Sequence, residues 1–190
     1  SNTGYRPKVA IKRMMEKLYE KYLASSGVQT DSRKIVGGEL FFALRGENFD
    51  GNRYAALALQ AGAKYAVVDS PEVAVDERYV VVDDTLAALQ ELARHHRQRL
   101  SIPVLAITGT NGKTTTKELT SAVLSRKFRT CYTQGNLNNH IGVPLTLLSI
   151  PSDAEFAIVE MGASARGEIA LLASIAAPDY GLITNIGRAH

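Results

Sequence analysis

The chain has 190 residues, 22 Lys plus Arg against 19 Asp plus Glu, a formal net charge of +3 and 45% hydrophobic residues, with a sequence pI of about 9.0. That length holds one ordinary domain or two small ones, the composition suits a globular protein with a buried core, and no run reaches the roughly 18 apolar residues of a membrane span or has the shape of a secretory signal. A single cysteine, Cys131, excludes an internal disulfide framework and a thiolate-rich metal site, so the default expectation is a cytoplasmic protein.

The positive charge belongs to the leader. Residues 1–14 carry Arg6, Lys8, Lys12 and Arg13 and no acid, which is +4 and leaves −1 for the rest of the chain. The pI therefore makes no case for nucleic acid. Ser1 and Asn2 resemble the scar of a cleaved affinity tag, and residues 1–14 read as a non-native leader with natural initiation near Met14 or Met15.

In chain order, the spacing of Leu18, Tyr22 and Leu23 predicts a short helix over 15–24, ended by Ser25-Ser26-Gly27. A buried strand over 38–44 (GELFFAL), an Ala-rich helix over 54–62, strands over 65–69 and 79–83, and a helix over 85–100 with late basic charge complete a small α/β domain, 15–100. Ser101-Ile102-Pro103 marks a boundary. From Val104 the pattern alternates: strand VLAIT, loop GTNGKTTT, a helix over 117–126, a strand over 130–133, the polar stretch GNLNNHIGVP, a helical turn in PLTLLSI, strand FAIVEMG, a helix over 165–177, and strand YGLITN. Alternating strands and helices predict a doubly wound, mostly parallel sheet for 101–190.

The chemistry concentrates in the second half. In TGTNGKTTT the glycines Gly109 and Gly112 let the backbone N–H groups of Thr110, Asn111 and the residues that follow turn toward an anion at a helix N-terminus. Lys113 can reach terminal phosphates, and the hydroxyl of Thr114, beside Thr115, can hold Mg²⁺. The first glycine of the usual phosphate-loop pattern is replaced by Ile107. Glu160, ending an otherwise apolar strand, would project into the crevice at the strand ends and complete a magnesium shell; the plain alternative is an exposed acid paired with an arginine such as Arg166. Asn136, Asn138 and Asn139 suit either a ligand-facing amide cluster or a loop stabilised by its own side-chain turns. Cys131 reads as a small hydrophobe, and His95 and His96 as solvated. In the first domain, Ser32 and Arg33 in TDSRK could receive a diphosphate, or simply form a turn with a surface ion pair.

GTNGKTTTKEL, GNLNNHIGVPLTLL, VEMGAS and TNIGRAH, with DSR, GELFFALRGENFDG and AGAKYAVVD before them, resemble the Mur ligases, ATP-dependent amide-bond formers of bacterial cell-wall synthesis. The likeness runs from about Met15 to His190. It implies an N-terminal domain holding the uridine diphosphate end of the substrate, with Ser32 and Arg33 near it, and the first part of a central ATPase domain. By the same resemblance the substrates are UDP-N-acetylmuramoyl-tripeptide and D-Ala-D-Ala, joined through an acyl phosphate. ATP would lie on residues 109–115, Mg²⁺ on Thr114 and Glu160, a second Mg²⁺ on His190, and Asn136, Asn138 and Asn139 at the junction of ATP and substrate. Family members continue past the position of His190, which makes this chain an expected N-terminal fragment that binds without ligating, with an open sheet edge prone to self-association, whereas the full-length protein is an expected monomer. The alternatives are a nucleotide or UDP-sugar binding module without ligase activity, or another amide ligase of the wider superfamily such as a folate polyglutamate ligase.

Overall fold

Two four-stranded parallel sheets organise the chain, one in each of two units that divide at residues 92 and 93. The computed structural model describes residues 5–187. The expectations placed on Ser1, Asn2 and His190 lie outside the described residues.

In the first unit, helix α1 (Tyr5–Leu23) precedes strands β1 (Val28–Gln29), β2 (Leu40–Phe42), β3 (Arg45–Gly46) and β4 (Phe49–Asp50). Helix α2 (Ala55–Gln60) and strands β5 (Tyr65–Val68) and β6 (Tyr79–Val81) follow, and the unit boundary falls inside helix α3 (Thr85–Arg97). The sheet order is β1-β2-β5-β6, with Leu40 opposite Tyr65. Side chains alternate across a strand, so Phe41, Ala43, Ala66 and Val68 share one face and pack with Ala55, Ala58 and Leu59 of α2. The opposite face, Leu40, Phe42 and Val67, is fully buried as well. The apolar stripes free to cover it are Met15, Leu18 and Tyr22 of α1 and Ala88, Leu89 and Leu92 of α3. Burying Phe41 and Phe42 contributes on the order of 1.5–3 kcal/mol each.

The expected helix over 15–24 begins ten residues earlier, at Tyr5. A hairpin not expected from the sequence, β3 paired antiparallel with β4, is pinned to the carboxyl end of β5. Arg45 donates to Asp69 (2.7 Å) and Ser70 (2.9 Å), and the buried Asn52 carboxamide donates to Asp50 and Asp69 while accepting from the backbone N–H groups of Asp69 and Ser70.

The second unit runs β7 (Val104–Thr108), α4 (Lys113–Leu124), β8 (Thr130–Tyr132), α5 (Gly142–Leu148), β9 (Phe156–Glu160), α6 (Glu168–Ala176), β10 (Tyr180–Ile183). Its sheet is parallel throughout in the order β10-β7-β9-β8. From β7 the chain crosses to β8 in one direction along the sheet, and from β9 to β10 in the other. Right-handed crossovers then place α4 on one face and α5 and α6 on the opposite one, and α5 and α6 do pack together. Adjacent strands β7 and β9 thus send their following loops to opposite faces, which makes the gap between their carboxyl ends the switch point where open α/β sheets take ligands.

Of the two histidines expected to be solvated, His95 is half-buried and His96 is buried, and so is the neighbouring Arg97. The Arg97 guanidinium donates to the carbonyls of Ala176 (2.7 Å) and Ala177 (2.9 Å) and to Asp179 (3.1 Å), satisfying acceptors left open by the end of α6. Burial lowers the His96 pKa. Cys131 is half-buried, and burial pushes its thiol up, away from the reactive thiolate.

Candidate phosphate-loop site

The loop leaving β7 enters α4 through Gly112, whose left-handed backbone (φ 78°) suits glycine and leaves the helix start without a side-chain cap. The helix begins at Lys113, four residues before its expected start. The backbone N–H groups of Lys113, Thr114 and Thr115 therefore form its first turn, where no intrahelical acceptor exists. Three such donors at the positive end of a twelve-residue helix make an anion receptor. Lys113 folds across the loop, its Nζ donating to the carbonyls of Gly109 (2.9 Å) and Thr110 (3.4 Å), from where its flexible stem can swing to a phosphate.

Glu160 ends β9 opposite Ile107 of β7, at the switch point. It is 2% exposed. The plain reading, an exposed acid paired with an arginine, does not describe it. Its carboxylate accepts from the Thr114 hydroxyl (3.3 and 3.4 Å to its two oxygens) and from the Asn138 carboxamide (3.1 Å), and it lies 3.6 Å from the Lys117 ammonium. Its backbone N–H donates to the buried Thr133 hydroxyl (2.9 Å), which fixes the strand end. A hydroxyl and a carboxylate at one spot are hard oxygen donors of the kind Mg²⁺ takes. That ion needs only one or two carboxylates when phosphates and waters fill the remaining positions. No cluster of three or more His, Cys, Asp or Glu occurs among the described residues, and the Thr114–Glu160 pair fits a magnesium held jointly with a polyphosphate.

The amide cluster divides its work. Asn138 turns to Glu160, while its backbone carbonyl accepts from the Gly162 N–H (2.8 Å). Asn139 accepts from the N–H groups of Ile141 and Gly142 and closes the turn into α5. The exposed Asn136 contributes its carbonyl to the Asn138 N–H.

Two contributors were missed in the sequence. Lys117 figures there only as the first residue of the helix expected over 117–126, yet its side chain is 2% exposed and faces Glu160. Asn185, after β10, accepts through Oδ1 from the N–H groups of Thr110 (3.1 Å) and Asn111 (2.9 Å), and Thr184 Oγ1 donates to the Asn111 carbonyl (2.6 Å). A side chain on Gly109 would run into that Thr184 hydroxyl. The signal for Lys117 was its four-residue spacing from Lys113 on the face that also carries Thr114; the signal for Asn185 was its place in TNIGRAH.

In the first unit, Ser32 and Arg33 form a 3-10 turn whose cap is Asp31. The Arg33 guanidinium folds back onto Asp31 (2.9 and 3.0 Å) and holds that carboxyl at a pKa of about 2. A cavity of about 350 Å³ is lined by Thr30, Asp31, Ser32, Arg33, Phe41, Phe49 and Tyr54. The Phe49 and Tyr54 rings stack with centroids 5.3 Å apart.

A phosphate-type loop at the switch point of a parallel sheet, answered by an acid from the adjacent strand, places the second unit in the P-loop-like α/β class. The chain belongs to the Mur ligase family: residues 25–97 match the family described as Mur ligase family, catalytic domain, and residues 107–190 match the Mur ligase middle domain. Among relatives, the chain is 52% identical over 167 residues to the UDP-N-acetylmuramoyl-tripeptide--D-alanyl-D-alanine ligase of Synechocystis sp., a match covering 87% of this chain and 37% of that protein. Among solved structures, it is similar to a MurF crystal structure from Acinetobacter baumannii, with a TM-score of 0.81 and 36% identity, covering 93% of this chain and 41% of that one. MurF ligase from Thermotoga maritima in complex with ADP gives a TM-score of 0.79 and 34% identity, covering 89% and 39%. The chain thus spans well under half the length of these proteins.

Proposed function

We propose that this chain supplies the nucleotide-binding and phosphate-handling part of an ATP-dependent ligase that joins D-Ala-D-Ala to UDP-N-acetylmuramoyl-tripeptide in the cytoplasm. The observation that carries the reading is the uncapped first turn of α4, with Lys113 beside it and Glu160 opposite at the switch point. The names of the relatives and the ADP in the Thermotoga structure support it.

In this reading the N–H groups of Gly112 to Thr115 and the Lys113 ammonium bind and orient the phosphates, offsetting the charge that builds as the terminal phosphoryl group moves to the substrate carboxylate. Thr114 and Glu160 would hold Mg²⁺, which supplies further charge neutralisation. Asn138 keeps the Glu160 carboxylate aimed at the crevice. His190, by the family motif, would serve a second Mg²⁺. Ser32 and Arg33 would meet the uridine diphosphate end at their cavity, where the Phe49–Tyr54 stack offers a flat apolar surface to a base.

The test is calorimetric titration of MgATP, and separately of UDP-N-acetylmuramoyl-tripeptide, into this chain and its Lys113→Ala variant. MgATP binding lost in the variant with the UDP-substrate affinity retained supports the reading. Equal MgATP affinity in both proteins overturns the role of Lys113.

A further inference from the structure

Lys117 stands on α4 one helical turn beyond Lys113, with its side chain 2% exposed. An ammonium taken that far from water needs an opposite charge. Two carboxylates lie near: Glu118 at 3.9 Å, itself 62% exposed and screened by solvent, and Glu160 at 3.6 Å, as buried as the lysine. The Tyr132 ring, with its centroid 6.0 Å from Nζ, adds a weaker attraction. Lys117 and Glu160 are therefore a buried pair of zero net charge, and Glu160 is the same acid that Thr114 and Asn138 orient at the switch point.

We infer that Lys117 is a positioning residue that balances the negative charge of Glu160, so that the acid takes a divalent cation only together with the phosphates of a nucleotide. The inference rests on the nucleotide reading above. A dication approaching Glu160 alone meets one negative and one positive charge at similar range and gains little for the water it must shed, and Mg²⁺ sheds water reluctantly. A polyphosphate on the α4 first turn adds several negative charges on the open side of the site, and the balance tips toward the metal. Cation and nucleotide then load together. A purely structural pair would behave differently: losing Lys117 would lower stability and leave metal affinity where it was, or weaken it.

The test uses Mn²⁺ as the probe, with free ion counted by electron paramagnetic resonance, on the chain without nucleotide. Lys117→Met is expected to bind Mn²⁺ at least about tenfold more tightly than the wild type, because removing the neighbouring cation removes its repulsion. Lys117→Arg, which keeps the charge, is expected to stay at the wild-type value, and Glu160→Gln in the Lys117→Met background to abolish the gain. Lys117→Gln, similar in length and able to donate to Glu160, replaces Lys117→Met should the latter fail to fold. Mn²⁺ affinity unchanged or weaker in the neutral variants overturns the proposal, as does an arginine variant that gains affinity like methionine. Titration of MgADP into the wild type reports separately on the nucleotide reading: absence of binding there defeats that reading, while the Mn²⁺ comparison still decides the role of Lys117.

Discussion

Replacing Asn185 by alanine tests whether the phosphate loop is held in shape before a ligand arrives. The Asn185 Oδ1 is the acceptor for the N–H groups of Thr110 and Asn111, at 3.1 and 2.9 Å. Thr110 keeps a second acceptor, the Asn185 backbone carbonyl at 3.2 Å, so alanine removes one bond outright and weakens the other. Each intramolecular hydrogen bond is worth about 0.5–1.5 kcal/mol net. Because the loop is largely open to water, the lower half of that range applies to the bond lost outright and a fraction of it to the weakened one, giving about 0.5–1.5 kcal/mol in all. If the clasp preorganises the receptor, the loss appears in nucleotide affinity as a weakening of about 2- to 13-fold. Thermal stability should change little, since the loop can rehydrate. Asn185→Asp sharpens the comparison: the carboxylate still accepts both N–H groups, so the clasp survives, but a negative charge now sits beside the anion receptor and binding should fall steeply at low salt and recover partly at high salt. Calorimetric titration of ADP into the three proteins measures these effects, and hydrogen exchange at Thr110 and Asn111 reports the clasp itself. An alanine variant that binds ADP as tightly as the wild type, despite faster exchange at those two amides, would refute the reasoning.

Other outcomes follow from the same geometry. Thr133→Val strands the buried N–H of Glu160 without its acceptor, and should cost about 1–3 kcal/mol in denaturant unfolding. Asn52→Ala leaves the N–H groups of Asp69 and Ser70 and the hairpin carboxylate Asp50 without their shared partner, for a loss of about 2–3 kcal/mol and faster proteolysis between residues 44 and 54. Asp31 should titrate by NMR near 2, and Arg33→Ala should return it toward 3.8. Its folded pKa lies below its unfolded one, so the stabilisation it contributes is complete above about 4 and is lost as pH falls through about 2.

What could be read in advance depended on how local its cause was. The phosphate loop was legible because strand, glycines, lysine and helix lie within fifteen residues and each obeys a rule of its own. The apolar run Phe156–Val159 likewise announced a buried parallel strand, and with it the position of Glu160 at the strand end. Lys117 was not legible, because nothing in a helix sequence says which cation will be turned inward; its burial is decided by β8 and β9, which α4 packs against. The β3–β4 hairpin escaped because two-residue strands carry no periodicity, and what holds them is a set of side-chain bonds to Asp69 and Ser70. His96 looked solvated because a basic run at a helix end usually is, but that end is buried, and its Arg97 is claimed by the open carbonyls of a helix almost eighty residues away.

The order β10-β7-β9-β8 also carries a consequence for the chain as it is made. The loop after β7 is clasped by Thr184 and Asn185, residues 73 to 75 positions downstream of their partners, and β10 is the strand that pairs with the otherwise open side of β7. As the polypeptide leaves the ribosome, the anion receptor is therefore synthesised early and completed late. Until the segment through Asn185 has emerged, the loop lacks its clasp and β7 exposes a bare hydrogen-bonding edge, so the interval between those two events is when this unit is most open to pairing with the wrong strand.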